Sequence, residues 1–473
     1  MKLTPAVELL NYYDFMKYTR LLNDDELSLY SLEHFYPLCS AYLAQGMENV
    51  VGTYDLLVRD APPHRNFLLA GGLEAIVQYI ENWRYSEDQI KYLLDSKLIN
   101  LQFAEYLRNF KFTGDIEAIP EGSIYFPGET LVRITAPVIQ ANLMTDAMIA
   151  LATIDTLALS KIARVSLAAP GKKISLGFVR APGVDAGWRY SRAAFFFHGS
   201  GTSNAAVTKR LGIVEITGST LNANHAFIKS FPTELEAMRA ATKDSEKVTV
   251  MVDTYDFEQG MRNAIVVADE LKAQGKKLGG VTVDSGDLLE NCKLARAMLD
   301  EAGHSDVQIA AGGNLDEYKL SKLVAGGITA DVFLIVTEIV TSADAPKLET
   351  VFKMAEIQDG KGGVRQTAKF APGKLSLPGK KQVFRNLKDG IISEDVIGLE
   401  EENLGTPLLV PIYRQGKLVY NLPLLEQNRE YTTKQLATLP ATHKEIFKEY
   451  PAPLSVSPKL QELLEQVRQR HIH

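Results

Sequence analysis

Two short strings carry the densest chemistry in this chain. Asp253–Asp256 reads DTYD, and Asp284–Asp287 reads DSGD. Each ends a β-rich run, VTVMV and GGVTV, and sets two carboxylates around small or hydroxyl-bearing residues. Carboxylates in that place suit ribose hydroxyls or a magnesium ion. Asp256 and Asp287 have a second reading, as caps of the helices that follow. No third carboxylate or histidine stands at metal-ligand spacing, so no dedicated protein metal site is expected. GSGTSN, which includes Ser203 and Asn204, offers successive N–H groups for an anion. A Gly/Ser turn is the plainer explanation of that string, and it lacks the lysine of a P-loop. Arg164, Arg180, Arg189 and Arg192 lie within one stretch. Singly each reads as a surface residue; together they suit a ligand bearing a phosphate and a carboxylate. His225 lies in LNANHAFIKSF, ahead of a helix. The eight histidines show no HxxxH or HExxH spacing, no GxSxG elbow occurs, and Cys292 falls inside a helical pattern. Zinc hydrolysis and acyl transfer through Ser or Cys are therefore not supported.

The elements around these strings repeat. VTVMVDTYD is followed by the helical FEQGMRNAIVVADELKAQG, closed by Gly275, and GGVTVDSGD by LLENCKLARAMLDEAG, closed by Gly303. VQIAAGGN, LDEYKLSKLVAGG and ADVFLIVTEI continue the alternation. Strands separated by helices of this length predict parallel βα units, and successive units favour a (β/α) barrel over an open sheet. Ligands then bind at the C-terminal ends of the strands, where DTYD and DSGD stand. The expected fold class is α/β. An N-terminal α/β, sandwich-like domain covers residues 1–137, an irregular barrel 138–350, and a C-terminal extension 351–473 that packs back on the first domain. Within the first domain, helices are expected near Tyr36–Glu48, Gly72–Trp83 and Asp88–Leu94, and a strand at Thr53–Val58. LLVPIYRQGKLVY predicts a hairpin, and SPKLQELLEQVRQR a terminal helix capped by Ser457 with Pro458 at its first position.

Composition narrows the function classes. Lys+Arg is 51 and Asp+Glu 58, a net charge of −7 over 473 residues. That balance excludes a general grip on nucleic acid or anionic lipid. Two cysteines make no disulfide framework and fit a reducing compartment. The N-terminus lacks the apolar core of a signal peptide, and no apolar run reaches about 18 residues. A cytoplasmic protein without membrane or nucleic-acid partners is the expectation.

Taken in order, these strings resemble the nicotinate phosphoribosyltransferase family from about Tyr36 to Arg385. The shared segments are AYLAQGM, TYDLLVRDAPPHRNFLLAGGLE, RAPG (180–183), GTSN (201–204), DTYD…G (253–260), DSGDL (284–288), NLDE (314–317), VTSADAPKL (340–348) and KFAPGKLSLPGKKQVFR. The resemblance implies a type II phosphoribosyltransferase joining nicotinate to phosphoribosyl pyrophosphate, coupled to ATP hydrolysis. Magnesium would arrive with the pyrophosphate groups, and the chain would form a homodimer. By the same resemblance Tyr36 stacks on the pyridine ring, and Arg180 lies near the carboxylate and phosphates. His225 takes the ATP phosphoryl group, and Asp253 and Asp284 face the ribose. Ser203, Asn204, Asp287, Gly312, Gly313 and Thr337 fall in the substrate-binding segments.

The chain also departs from the family pattern. Val179 replaces the first of two adjacent arginines, and Thr282 the arginine ahead of DSGD. Leu334 and Val336 replace the glycines of the barrel phosphate loop F-G-V-G-T, and a serine is lost before Gly313. Ala371 replaces the serine of a K-x-S motif. Three readings stay open on sequence: an active, divergent member; a relative using another pyridine or an amide; and a degenerate homologue with a binding or structural role.

Overall fold

The structure is a computed structural model that describes residues 27–198, 200–202, 204–213, 221–243, 245, 247–358 and 363–471. The chain divides into two compact units. Among the described residues, one is formed by Lys161–Asp344; the other joins residues 27–160 with those from Ala345 onward. The boundary falls inside one helix, Thr145–Ala168.

The Lys161–Asp344 unit is built on a seven-stranded, all-parallel sheet. Its spatial order is Ser200–Thr202, Lys173–Leu176, Val332–Ile335, Gln308–Ala311, Gly280–Val283, Val248–Met251, Leu221–Ala223. The last strand in sequence, Val332–Ile335, pairs with the first, Lys173–Leu176. That pairing is the closure of a barrel rather than the edge of an open sheet. The ring opens between the second and third strands, which are the two sheet edges among the described residues. The irregular barrel expected from sequence is therefore a curled parallel sheet with one open seam. Gly280–Val283 is buried throughout, as a central parallel strand covered on both faces must be.

Helix starts in this unit follow side-chain capping. Asp256 accepts from the Gln259 N–H (2.8 Å), Asp287 from Leu289 and Glu290, and Asp316 from Lys319 (2.7 Å). Of the two readings of Asp256 and Asp287, the capping one is thus realised. Gly260 explains the fixed distance after DTYD: a Cβ there would lie 2.0 Å from the Val252 carbonyl oxygen. Only glycine lets this helix press onto the strand end that carries Asp253.

The second unit holds a seven-stranded sheet in the order Val364–Gln366, Thr350–Gln358, Val51–Val58, Thr130–Pro137, Asp115–Ala118, Val410–Arg414, Lys417–Leu418. All of its pairings are antiparallel. A four-stranded sheet of Thr406–Pro407, Lys381–Lys388, Ile391–Leu399 and Leu454–Val456 accompanies it. The helices Phe35–Ala44, Leu73–Asn82, Glu87–Asp95 and Leu101–Arg108 bury their apolar faces in one core with Trp83, Phe103 and Tyr413. The expected hairpin turns between Arg414 and Lys417, and Ser457 caps the helix Pro458–His471 through the Leu460 N–H.

Buried charge in this unit is paired. Arg133, 1 % exposed, reaches Glu117, Glu400 and the Lys381 carbonyl. Arg385 grips Asp395 with two nitrogens, at 2.9 and 2.5 Å, and donates to the Ile124 carbonyl. Glu129 is fully buried beside Asp395. Burial first, and then the Asp395 charge, push its carboxyl far above the ordinary range.

Candidate active site at the strand ends

Parallel strands point their C-terminal ends one way, so residues far apart in sequence meet at one edge of the sheet. Asp253 follows Val248–Met251, and Asp284 follows Gly280–Val283. Gly312 and Gly313 follow Gln308–Ala311, Thr337 follows Val332–Ile335, Arg180 follows Lys173–Leu176, and His225 follows Leu221–Ala223. A cavity of about 370 Å³ opens there, lined by Arg180, Asn222, Met251, Thr282, Asp284, Gly313, Asn314, Leu334 and Val336.

The aspartates are locked to each other through backbone. Asp253 Oδ2 accepts from the Asp284 N–H (2.9 Å) and from the Ser285 hydroxyl (2.6 Å). Its other oxygen, Oδ1, is buried without a hydrogen-bond partner. The Asp284 carboxyl is pushed above the usual carboxylate range by burial and then by the Asp253 charge. His225, the Gly313 N–H and Arg180 pull it back down. The two glycines are steric requirements of this arrangement. A Cβ on Gly312 would lie 2.1 Å from Asp284 Oδ1; one on Gly313, at φ +92°, would lie 2.7 Å from the Asp284 carbonyl oxygen.

Arg180 donates from Nη1 to Thr337 Oγ1 (2.9 Å), which holds an exposed guanidinium across the cavity edge. His225 is half-buried, and its Nδ1 lies 3.0 Å from Thr254 Oγ1. The ring nitrogen left for chemistry is therefore Nε2. Thr254 belongs to the same loop as Asp253, so the imidazole and the carboxylate are positioned together.

Other expected residues have different places. Asn204 spends its side-chain oxygen on the N–H groups of Ala206 and Val207, and Ser203 lies outside the described residues. Asp287 is exposed and caps its helix, as above. Tyr36 belongs to the other unit, where its ring is 2 % exposed within the apolar core and burial pushes its hydroxyl upward. Of the four clustered arginines only Arg180 lines the cavity. Arg164 pairs with buried Glu317, Arg189 with Asp185, and Arg192 lies over the Phe196 ring. The expected arginine cluster is thus one cavity-lining guanidinium and three that are engaged elsewhere in the fold.

Sequence reasoning missed Asn222, Met251 and Asn314 in the lining, and Thr254 behind His225. The basic segment expected from the Lys-rich string is part of a concentration of positive charge in the second unit. Lys353 is held below the usual lysine range by burial and then by Lys369, Arg59 and Lys374. The Lys-rich signature was the available signal for this patch, yet Arg385 at its end is buried against Asp395 instead.

Comparisons with known proteins decide the family. Family models described as the nicotinate phosphoribosyltransferase N-terminal domain and C-terminal domain match residues 34–153 and 405–464. The nicotinate phosphoribosyltransferase pncB2 of Mycobacterium tuberculosis is 34 % identical over 427 residues, covering 89 % of this chain and 90 % of that protein. This chain belongs to the nicotinate phosphoribosyltransferase family. The family's enzyme from Bacillus subtilis is 31 % identical over 467 residues, with 91 % and 94 % of the two chains covered. The crystal structure of human nicotinic acid phosphoribosyltransferase shares the fold, with a TM-score of 0.78 at 23 % identity over 92 % of this chain and 99 % of that one. The curled sheet is therefore the family's architecture in this chain.

Proposed function

We propose that this chain is an active enzyme of NAD salvage. It joins nicotinate to phosphoribosyl pyrophosphate, gives nicotinate mononucleotide and pyrophosphate, and couples the reaction to ATP hydrolysis. The observation that carries the reading is the Asp253–Asp284 pair, locked together at the mouth of a cavity that Arg180 also lines. Ribosyl transfer builds positive charge on the sugar as the bond to pyrophosphate breaks. Carboxylates already oriented toward that sugar stabilise the charge without reorganising. Arg180 supplies counter-charge to the anionic end of the substrate, and Thr337 keeps it in place.

Magnesium fits this site only in company. Among the described residues no group of three His, Cys, Asp or Glu side chains converges on one point. The unpartnered Asp253 Oδ1 and the Asp284 carboxylate offer a partial ligand set. That set matches an ion already held by pyrophosphate oxygens, which would neutralise the leaving group. Homodimer formation and cytoplasmic residence belong to the same proposal. Among the described residues no helix is long and apolar enough to cross a membrane.

His225 is proposed as the acceptor of the ATP γ-phosphoryl group. Thr254 holds Nδ1 and leaves Nε2 to react. His225→Ala is expected to abolish ATP stimulation and acid-labile phosphate incorporation, with the circular-dichroism spectrum and melting curve unchanged. Label that still enters the variant would place the acceptor on another side chain.

A further inference from the structure

Thr282 is 1 % exposed, lines the strand-end cavity, and has a hydroxyl with no hydrogen-bond partner. Buried hydroxyls are normally satisfied, because stripping one of water without a replacement is unfavourable. Strand alternation sets Thr282 on the same face as Asp284, two residues on. Across the sheet it lies beside Met251, and Leu334 and Val336 line the same cavity. These three side chains make an apolar wall suited to a flat ring. Among the described residues the only cation in the lining is Arg180, which is engaged with Thr337.

We propose that Thr282 is the residue that positions the pyridine base, through a hydrogen bond between its hydroxyl and the ring's 3-substituent. The inference rests on the pyridine-nucleotide reading above. A hydroxyl both donates and accepts, so it serves a carboxylate and a carboxamide alike. The cavity floor thus selects a 3-substituted pyridine by shape and hydrogen bonding, and charge contributes little to the choice there.

The test compares wild type with Thr282→Val and Thr282→Ser in the full chain. Calorimetric binding of nicotinate and of nicotinamide is measured alongside turnover and melting. Valine replaces the hydroxyl by a methyl of the same shape. An unpartnered hydroxyl predicts an unchanged or higher melting temperature, whereas a structural one predicts a fall. Both pyridines are expected to lose about tenfold or more in affinity in the valine variant, the worth of one buried hydrogen bond. The serine variant should restore most of that loss. Unaltered binding of both pyridines to Thr282→Val overturns the proposal, as does a loss confined to nicotinate or a wild type that binds neither. Binding that depends on Thr282 without turnover supports the proposal and contradicts the reaction instead.

Discussion

Asp284→Asn is expected to lower kcat/KM for mononucleotide formation by about 10²–10³, the scale of removing one preorganised electrostatic group from a reaction centre. Asparagine keeps the size of the side chain and one acceptor oxygen, so substrate binding should change far less than kcat. Stability should move the other way. Burial and the neighbouring Asp253 charge raise the Asp284 carboxyl in the folded chain above its unfolded value. A raised acid binds its proton more tightly when folded. Its ionised form therefore subtracts from stability above the unfolded pKa, and the subtraction vanishes as pH falls below it. At neutral pH the asparagine variant should melt at or above the wild-type temperature. Thermal denaturation beside steady-state kinetics checks both halves. The same shift predicts that the acid limb of the wild-type pH profile lies above the ordinary aspartate range. Arg180→Gln should move that limb higher still, because Arg180 is one of the groups holding the carboxyl down.

The second large effect concerns the fold. Arg385→Met is expected to destabilise the unit that contains it by about 3–5 kcal/mol, the cost of leaving a buried charge without its partner. Asp395 is fully buried and is held by two Arg385 nitrogens. Glu129, buried beside it, offers no positive charge to replace them. The Arg385→Met/Asp395→Leu double variant should recover part of the loss, since a pair replaced by apolar groups is often near neutral. Urea unfolding of the three proteins separates the outcomes; equal midpoints for wild type and Arg385→Met would show that the guanidinium contributes nothing.

Much of the site was legible in sequence because its logic is local. A β-rich run that ends in aspartate, followed by an amphipathic helix with a glycine stop, places its carboxylate at a strand's C-terminal end. That reasoning located Asp253 and Asp284. The dual nature of Asp256 and Asp287 was also visible, and geometry resolved it toward capping. The rest depended on long-range pairing. Arg164 and Arg180 look alike along the chain, yet one meets Glu317, 153 residues away, and the other lines the cavity. Arg385 sits in a basic string, but its surroundings come from Asp395 and Ile124. The open seam of the sheet is equally silent locally, because strands of the same composition can pair or not. Thr282 was noticed only as a missing arginine; its unpartnered hydroxyl emerged once the neighbouring strands were in register.

On the proposed reading, a strand-end site lined by Leu334 and Val336 performs the transfer. The most direct measurement gives the purified full chain nicotinate, phosphoribosyl pyrophosphate, ATP and magnesium, and follows product by mass. Nicotinate mononucleotide formed in proportion to enzyme, stimulated by ATP and lost in Asp284→Asn, is the expected result. A folded chain that forms no mononucleotide and takes up no phosphate on His225 would contradict it.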